Sequence, residues 1–424
     1  MLRGIRRHPL AQMAARAGRN ARVCMITEPL WAIPNFLYVP FVSVYMSALG
    51  LSDGMIGLVS TVTMVAQFVG ALLSGALTDK LGRKRCTFLF DLLAWGVPTL
   101  LWALAQSPAW FLAGAVFNGA MRVTTTSWSL LMVEDEPPDL LVRIFTVANI
   151  AGLISGFFAP LAYLLVQRYG LVPTVRGLYW FAFALMTTKI FILNAVCSET
   201  RMGRQRMAAT RHQSLFSLLR GSGAVLGMML RTPKTMLTVG LLACFLTSKS
   251  ITDAFWPLLV TSRLGVSEGS LSIYATVRNL VMLVCCLTVV PRISTERFKN
   301  PIVVCFSLQI AAKVMLICMP AGALWLLVLS VVLEALSLSL LNPLTESLQV
   351  LHVDETERAR MLAILFAVVP LISSPFGAIA GLLSEVHRVL PLVLTLCLYV
   401  AAIALSLGIW SITQREQQGK AQTA

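Results

Sequence analysis

Gly75-Ala76-Leu77-Thr78-Asp79-Lys80-Leu81-Gly82-Arg83-Lys84-Arg85 joins two long apolar stretches, residues 55–78 and 86–105. Four of its residues, Lys80, Arg83, Lys84 and Arg85, are cationic and lie close together. A short basic connector between two apolar runs belongs on the cytoplasmic side of a membrane, where Lys and Arg collect. The reading of the rest of the chain follows from that placement.

The 424 residues are 57% hydrophobic and 12% charged, with a mean hydropathy of +0.79. So much apolar surface cannot be hidden in a water-soluble fold and requires lipid as solvent. The net charge of +15 sits mostly in short connectors. No basic domain with interleaved aromatics is present, so membrane orientation accounts for the charge and nucleic acid is not an expected partner. Nine cysteines show no Cys-x-x-Cys spacing, and most fall within apolar runs, which gives neither a disulfide framework nor a metal site. Residues 1–24 hold six arginines and no acid. A transit peptide has the same composition, but the expected role is a basic cytoplasmic segment that fixes orientation and meets anionic lipid. No short apolar core ending at a small-residue cleavage site precedes the first span.

About 20 apolar residues cross the hydrocarbon. By that rule spans are expected near 31–50, 55–78, 86–105, 110–132, 144–166, 177–197, 236–261, 269–290, 301–319, 323–345, 361–383 and 389–412. The polar, arginine-rich stretch 198–234 divides them six and six. The expected layout is thus a basic segment 1–24, an N-terminal six-helix bundle 25–197, a cytoplasmic linker 198–234, a C-terminal six-helix bundle 235–412 and a cytoplasmic tail 413–424. With both termini cytoplasmic, the inward segments hold 25 Lys and Arg against four outside, and the spans hold the other five of the 34. The halves echo each other at an offset near 215–220 residues: Glu134-Asp135-Glu136 before Arg143 answers Asp354-Glu355 before Arg358 and Arg360, and Pro160 answers Pro375. Thr295-Glu296-Arg297-Phe298-Lys299 is a degraded echo of the opening connector. Such repeats mark transporter folds whose site lies between them near the bilayer midplane.

The connector's Gly-x-x-x-Asp-Lys-x-Gly-Arg-Lys layout, the six-plus-six spans and the long linker together resemble the major facilitator superfamily over nearly the whole chain. The resemblance implies an all-α membrane fold of 12 helices in two pseudo-symmetric bundles that rock by alternating access around a cavity lined by spans one, four, seven and ten. It also implies a cytoplasmic latch built on Asp79 and Arg83, with Gly75 and Gly82 suited to close approach and a tight turn and Glu134 or Asp135 as acidic partner. The alternative for the cations is that they only obey the orientation rule. Two features depart from the family's pattern. Span five reads Gly152-Leu-Ile-Ser-Gly156-Phe-Phe-Ala-Pro160, without the Gly-Pro pair of the drug exporters, and Arg122 in span four is followed by Val-Thr-Thr-Thr-Ser-Trp in place of a glycine-rich pattern.

Charges at mid-bilayer are costly and are retained for function or for a partner. Eight occur: Asp91, Arg122, Lys189, Lys249, Asp253, Arg278, Lys313 and Glu334. Arg122 opens a polar run ending in Trp128-Ser129, and its planar fork suits a carboxylate or phosphate on the substrate; an internal pair with Glu334 is the alternative. Lys249 and Asp253 are one helical turn apart, among Thr247, Ser248, Ser250 and Thr252, as a cavity wall or as a mutually neutralising pair. Arg278 joins them from span eight. Glu334, Asp253 and Asp91, in that order, are candidates for proton coupling, because a low dielectric favours the neutral carboxyl and His8, His212, His352 and His387 all lie in connectors. Lys313 reads as a snorkelling residue, and Lys189 has no evident role. On span one, Trp31, Asn35, Tyr38 and Tyr45 keep close to one helical face. Asn35, Tyr38 and Trp128 complete the expected substrate-binding set. Tyr179 and Trp180 read as interfacial belt.

The function expected is secondary transport, across the plasma membrane, of a small organic solute, anionic or zwitterionic, coupled to an ion gradient, most simply protons. The chain is expected to act as a monomer with no cofactor. No Gly-x-x-x-x-Gly-Lys-Ser loop for ATP is present, and no catalytic set converges on one membrane depth, so an enzyme is not expected. The alternatives are a proton-coupled exporter of drugs or cations and, in another class, a sensor of the same fold that binds without translocating.

Overall fold

The computed structural model describes residues 16–214, 233–289, 299–320, 322–351 and 358–423. Residues 1–15 of the basic segment, the linker's 215–232, the echo at 295–298 and the acidic pair Asp354-Glu355 lie outside the described residues. Among the described residues the chain is helical and has no strand. Eleven helices among the described residues are long and apolar enough to cross a membrane, from Arg19–Ala48 to Leu390–Ile412. The twelfth crossing, span four, consists of Pro108–Asn118 and Met121–Val133, parted by a turn at Gly119 and Ala120.

Span one begins at Arg19, well before the apolar run that marks it in the sequence, and reaches Tyr38. A 3-10 turn at Val39–Phe41 and a short helix Val42–Ala48 follow. Pro40 lacks the N–H needed to continue an α-helix. Span three is interrupted by a π-helical segment, Leu92–Gly96, directly after Asp91, and Asn118 donates its amide to the Ala94 carbonyl there at 3.0 Å. The described part of the connector between the halves contains a helix, Arg201–Thr210. The last helix runs from Leu390 to Thr423, through the stretch expected to be a tail.

The chain forms two compact units: Met1–Pro40 with Ala66–Arg220, and Phe41–Val65 with Gly221–Ala424. The helix Asp53–Leu81 contributes its first part to the second unit and the remainder to the first. In the first unit a core of Cys24, Met25, Leu131, Ile144, Ala148 and Leu193 ties spans one, four, five and six. In the second, Leu241, Phe245, Phe306, Leu341, Tyr399 and Ile409 tie spans seven, nine, ten and twelve. Leu164, Leu287 and Leu382 remain more than half exposed, as lipid-facing residues do. Lipid tails are as apolar as leucine, so close helix contact depends on small residues and buried hydrogen bonds.

Glycines mark the tightest crossings. In the first unit, a Cβ on Gly119 would run into Ala66 and one on Gly70 would strike the Gly119 carbonyl, so spans two and four meet backbone to backbone. In the second, Gly57 faces Gly377 and Gly381 in the same way. Beside that crossing Thr61 donates to the Ser374 carbonyl at 2.6 Å, Gly54 N donates to Glu385 at 2.9 Å, and Asp53 holds Arg388 at 2.7 Å. Gly57→Val is expected to cost about 2 kcal/mol through overpacking, read as a lower melting temperature of the purified protein. An unchanged melting temperature would refute the contact.

Candidate functional site

The Gly75–Arg85 connector is held by its own chemistry. Gly82 has φ +81, a left-handed conformation that glycine adopts without Cβ strain, and it allows the sharp exit from span two. Arg83 is turned inward, its side chain 4% exposed, and makes two parallel bonds to Glu134 at 2.8 and 2.9 Å and one to Asp79 at 3.1 Å. Glu134 also accepts from the Thr200 hydroxyl. Asp135 accepts from Arg201 N at 3.1 Å and so caps the connector helix. Gly75 does not make the close approach expected of it: a Cβ there would meet nothing within 4 Å, because the glycine faces open space.

Residues that sequence reasoning missed complete this network. The Glu199 carboxylate accepts from Arg83 N at 2.9 Å and Lys84 N at 3.0 Å, capping span three, whose own N-cap Gly82 has no side chain to do so. Glu136 does the same for span one through Gly18 N at 2.8 Å. Thr210 donates to the Asp79 carbonyl at 3.2 Å, and Lys80 to the Gln213 carbonyl at 2.9 Å. Glu134→Ala leaves a buried guanidinium with one carboxylate of two. It is expected to destabilise the protein by about 2 kcal/mol, read by thermal melting, whereas a surface cation obeying only the orientation rule would show no change.

Deeper in the first unit, Lys189 pairs with Glu28 at 2.7 Å, with side chains 9% and 12% exposed. Its ammonium lies 5.8 Å from the Trp31 ring and 5.4 Å from that of Trp128, a cation–π contact on each side. Asp91 is 8% exposed and accepts from Thr124 at 2.6 Å. Arg122 stands at the start of the second half of span four, directly after the break. Its Nε is buried without a hydrogen-bond partner, and among the described residues no carboxylate pairs with it.

The expected aromatic face of span one is not formed. The 3-10 turn at Val39–Phe41 interrupts the helix between Tyr38 and Tyr45, and Tyr45 is fully buried. Tyr38 is removed from the binding set because it is 3% exposed, donates to Asn35 Oδ1 at 3.0 Å, and packs its ring 4.8 Å from that of Tyr179. Tyr179 is likewise fully buried and is not a belt residue, whereas Trp180 is 45% exposed.

In the second unit two charged groups differ sharply. Lys249 bonds Asp253 at 2.6 Å with Arg278 at 3.8 Å on the other oxygen, and the three side chains are 43%, 44% and 34% exposed. Lys313 and Glu334 meet at 2.6 Å with side chains only 1% and 11% exposed. The snorkelling expected of Lys313 does not occur, since span nine aims it at span ten. The ion-pair partner of Glu334 is therefore Lys313. That pair is closed; the triad is open.

The family model for the Major Facilitator Superfamily matches residues 31–322. No curated protein matches the chain in sequence. Among solved structures, a D323A mutant of the nucleoside transporter NupG superposes with a TM-score of 0.72 at 16% identity, over 92% of this chain and 99% of that one. A POT family transporter in complex with 5-aminolevulinic acid gives 0.71 at 12% identity, over 94% and 98%. The human organic anion transporter MFSD10 (TETRAN) gives 0.59 at 16% identity, over 92% and 99%. With the family model covering more than half of a chain whose helices cross the membrane many times, this protein belongs to the Major Facilitator Superfamily of transporters.

Proposed function

We propose that the protein is a secondary transporter of a small organic solute bearing an anionic group, working by alternating access across the plasma membrane with both termini in the cytoplasm. The observation that carries this reading is the Lys249–Asp253–Arg278 triad: two cations share one carboxylate, and all three stay partly open within the membrane-spanning helices. An ion pair kept only for folding would be closed, as Lys313–Glu334 is. The spare positive charge suits a carboxylate or phosphate, and Asp253 suits the ammonium of a zwitterion. Arg122, without a carboxylate of its own among the described residues, supplies a second anion-binding group. The structural neighbours that include an organic anion transporter and a transporter bound to 5-aminolevulinic acid agree with this class. Coupling to protons falls to Asp91, since Glu334 is engaged by Lys313 and Asp253 by Lys249 and Arg278. The Asp79–Arg83–Glu134 contacts serve as the cytoplasmic latch.

The test is counterflow in proteoliposomes with labelled amino acids, dicarboxylates and nucleotides, after a thermal-shift screen of the same compounds at two pH values, since a ligand stabilises the state it binds. Accelerated exchange of an anionic or zwitterionic compound is the expected result. A compound that shifts melting but never exchanges would assign the protein to the sensors, and resistance to toxic cations lost in Glu334→Gln would assign it to the exporters.

A further inference from the structure

Spans one, five and six of the first unit leave a groove of about 630 Å³, within the range of pockets that hold small molecules. Leu37, Phe158, Leu161, Gly177 and Phe181 line it, with Tyr169 at one end. Phe158, Leu161 and Phe181 are 49%, 49% and 42% exposed, so the groove opens on the lipid side of the helices. Along span six its wall runs from Pro173 to Leu185. At 1.5 Å per residue this is ~18 Å, a little over half of the ~30 Å hydrocarbon thickness and so the reach of one leaflet.

Chemistry restricts the occupant. Apart from Tyr169, the only polar side chain in the wall is Thr174, and its hydroxyl already donates to the Leu165 carbonyl at 3.0 Å. Away from the Tyr169 end a polar solute would find no hydrogen bond and would lose its hydration. At the Tyr169 end the chain leaves span five at Gly170, and the exposed Arg168 guanidinium lies 5.5 Å from the Tyr169 ring. Arg168 has no carboxylate partner among the described residues, while the neighbouring Arg176 is engaged by the Ala105 carbonyl at 3.0 Å.

We propose that this groove seats one acyl chain of an anionic phospholipid from the surrounding bilayer, with Arg168 holding its phosphate at the rim. The apolar slot supplies binding for the chain, and the guanidinium supplies preference for a negatively charged headgroup over a zwitterionic one.

The full-length protein, reconstituted with equal phosphatidylglycerol and phosphatidylcholine and examined by native mass spectrometry, is expected to retain phosphatidylglycerol about fivefold more often. Arg168→Ala is expected to erase that preference while still retaining lipid. Gly177→Leu is expected to lose both lipids, because a Cβ there meets nothing within 4 Å and the longer side chain fills the slot. Leu161→Trp, which narrows the groove from span five, decides the matter if Gly177→Leu melts early. Equal retention of the two lipids by the wild type, or a bound lipid that survives both filling variants, would overturn the proposal. So would displacement of the lipid by a transported solute, which would make the groove a cargo route.

Discussion

Arg122→Ala is expected to reduce transport by at least about a hundredfold while the purified protein melts no earlier than the wild type. The two halves of this expectation have separate causes. A guanidinium that binds an anion away from water contributes about 2–5 kcal/mol, and each 1.4 kcal/mol is tenfold. Folding draws no ion pair from the same group among the described residues, where its Nε is buried without a hydrogen-bond partner, and a charge in the bilayer carries a penalty of about 2.5–3.5 kcal/mol. Arg122→Lys keeps the charge but not the planar fork, so it should recover only part of the activity. Counterflow that continues at the wild-type rate in Arg122→Ala would return this residue to the structural class.

Lys313→Met is expected to show the opposite pattern, with a loss of about 3–5 kcal/mol in stability because the Glu334 carboxylate is left buried and unpaired. Removing both charges, as in Lys313→Met with Glu334→Leu, should restore most of that loss, since an apolar pair of similar volume needs no desolvation. Lys249→Ala offers the contrast: its side chain is 43% exposed, so melting should change little while cargo affinity falls. If Lys313→Met melts like the wild type, the closed pair is not a structural element and Glu334 returns as a candidate for carrying protons.

Much of the fold was legible because hydropathy and charge placement report directly on lipid. The connector's Asp79, Gly82 and Arg83 could be read as a unit through their resemblance to the superfamily's signature loop, and Asp79 and Arg83, four residues apart, meet at 3.1 Å. Contacts set by helix register could not. Lys313 and Glu334 lie on neighbouring helices, and nothing local shows that they point at each other. Lys189 lacked a role because Glu28 precedes the apolar run of span one, although the helix already extends through it from Arg19. The break in span four was hidden because Gly119-Ala120 is unremarkable in an apolar stretch; only the crossing with Gly70 and Ala66 gives it a reason. The connector helix has no apolar stripe, and its order comes from caps supplied by Asp135 and Thr200.

Glu199 gives that connector a mechanical meaning. The carboxylate that closes the start of the third span belongs to a stretch that a sequence reader would treat as a dispensable tether. A protease site or a fluorescent-protein insertion placed between Val196 and Thr200 would detach this clasp and loosen the first half of the protein. The same cut made after Gln213 would leave it fastened, so split versions of the protein should be divided there.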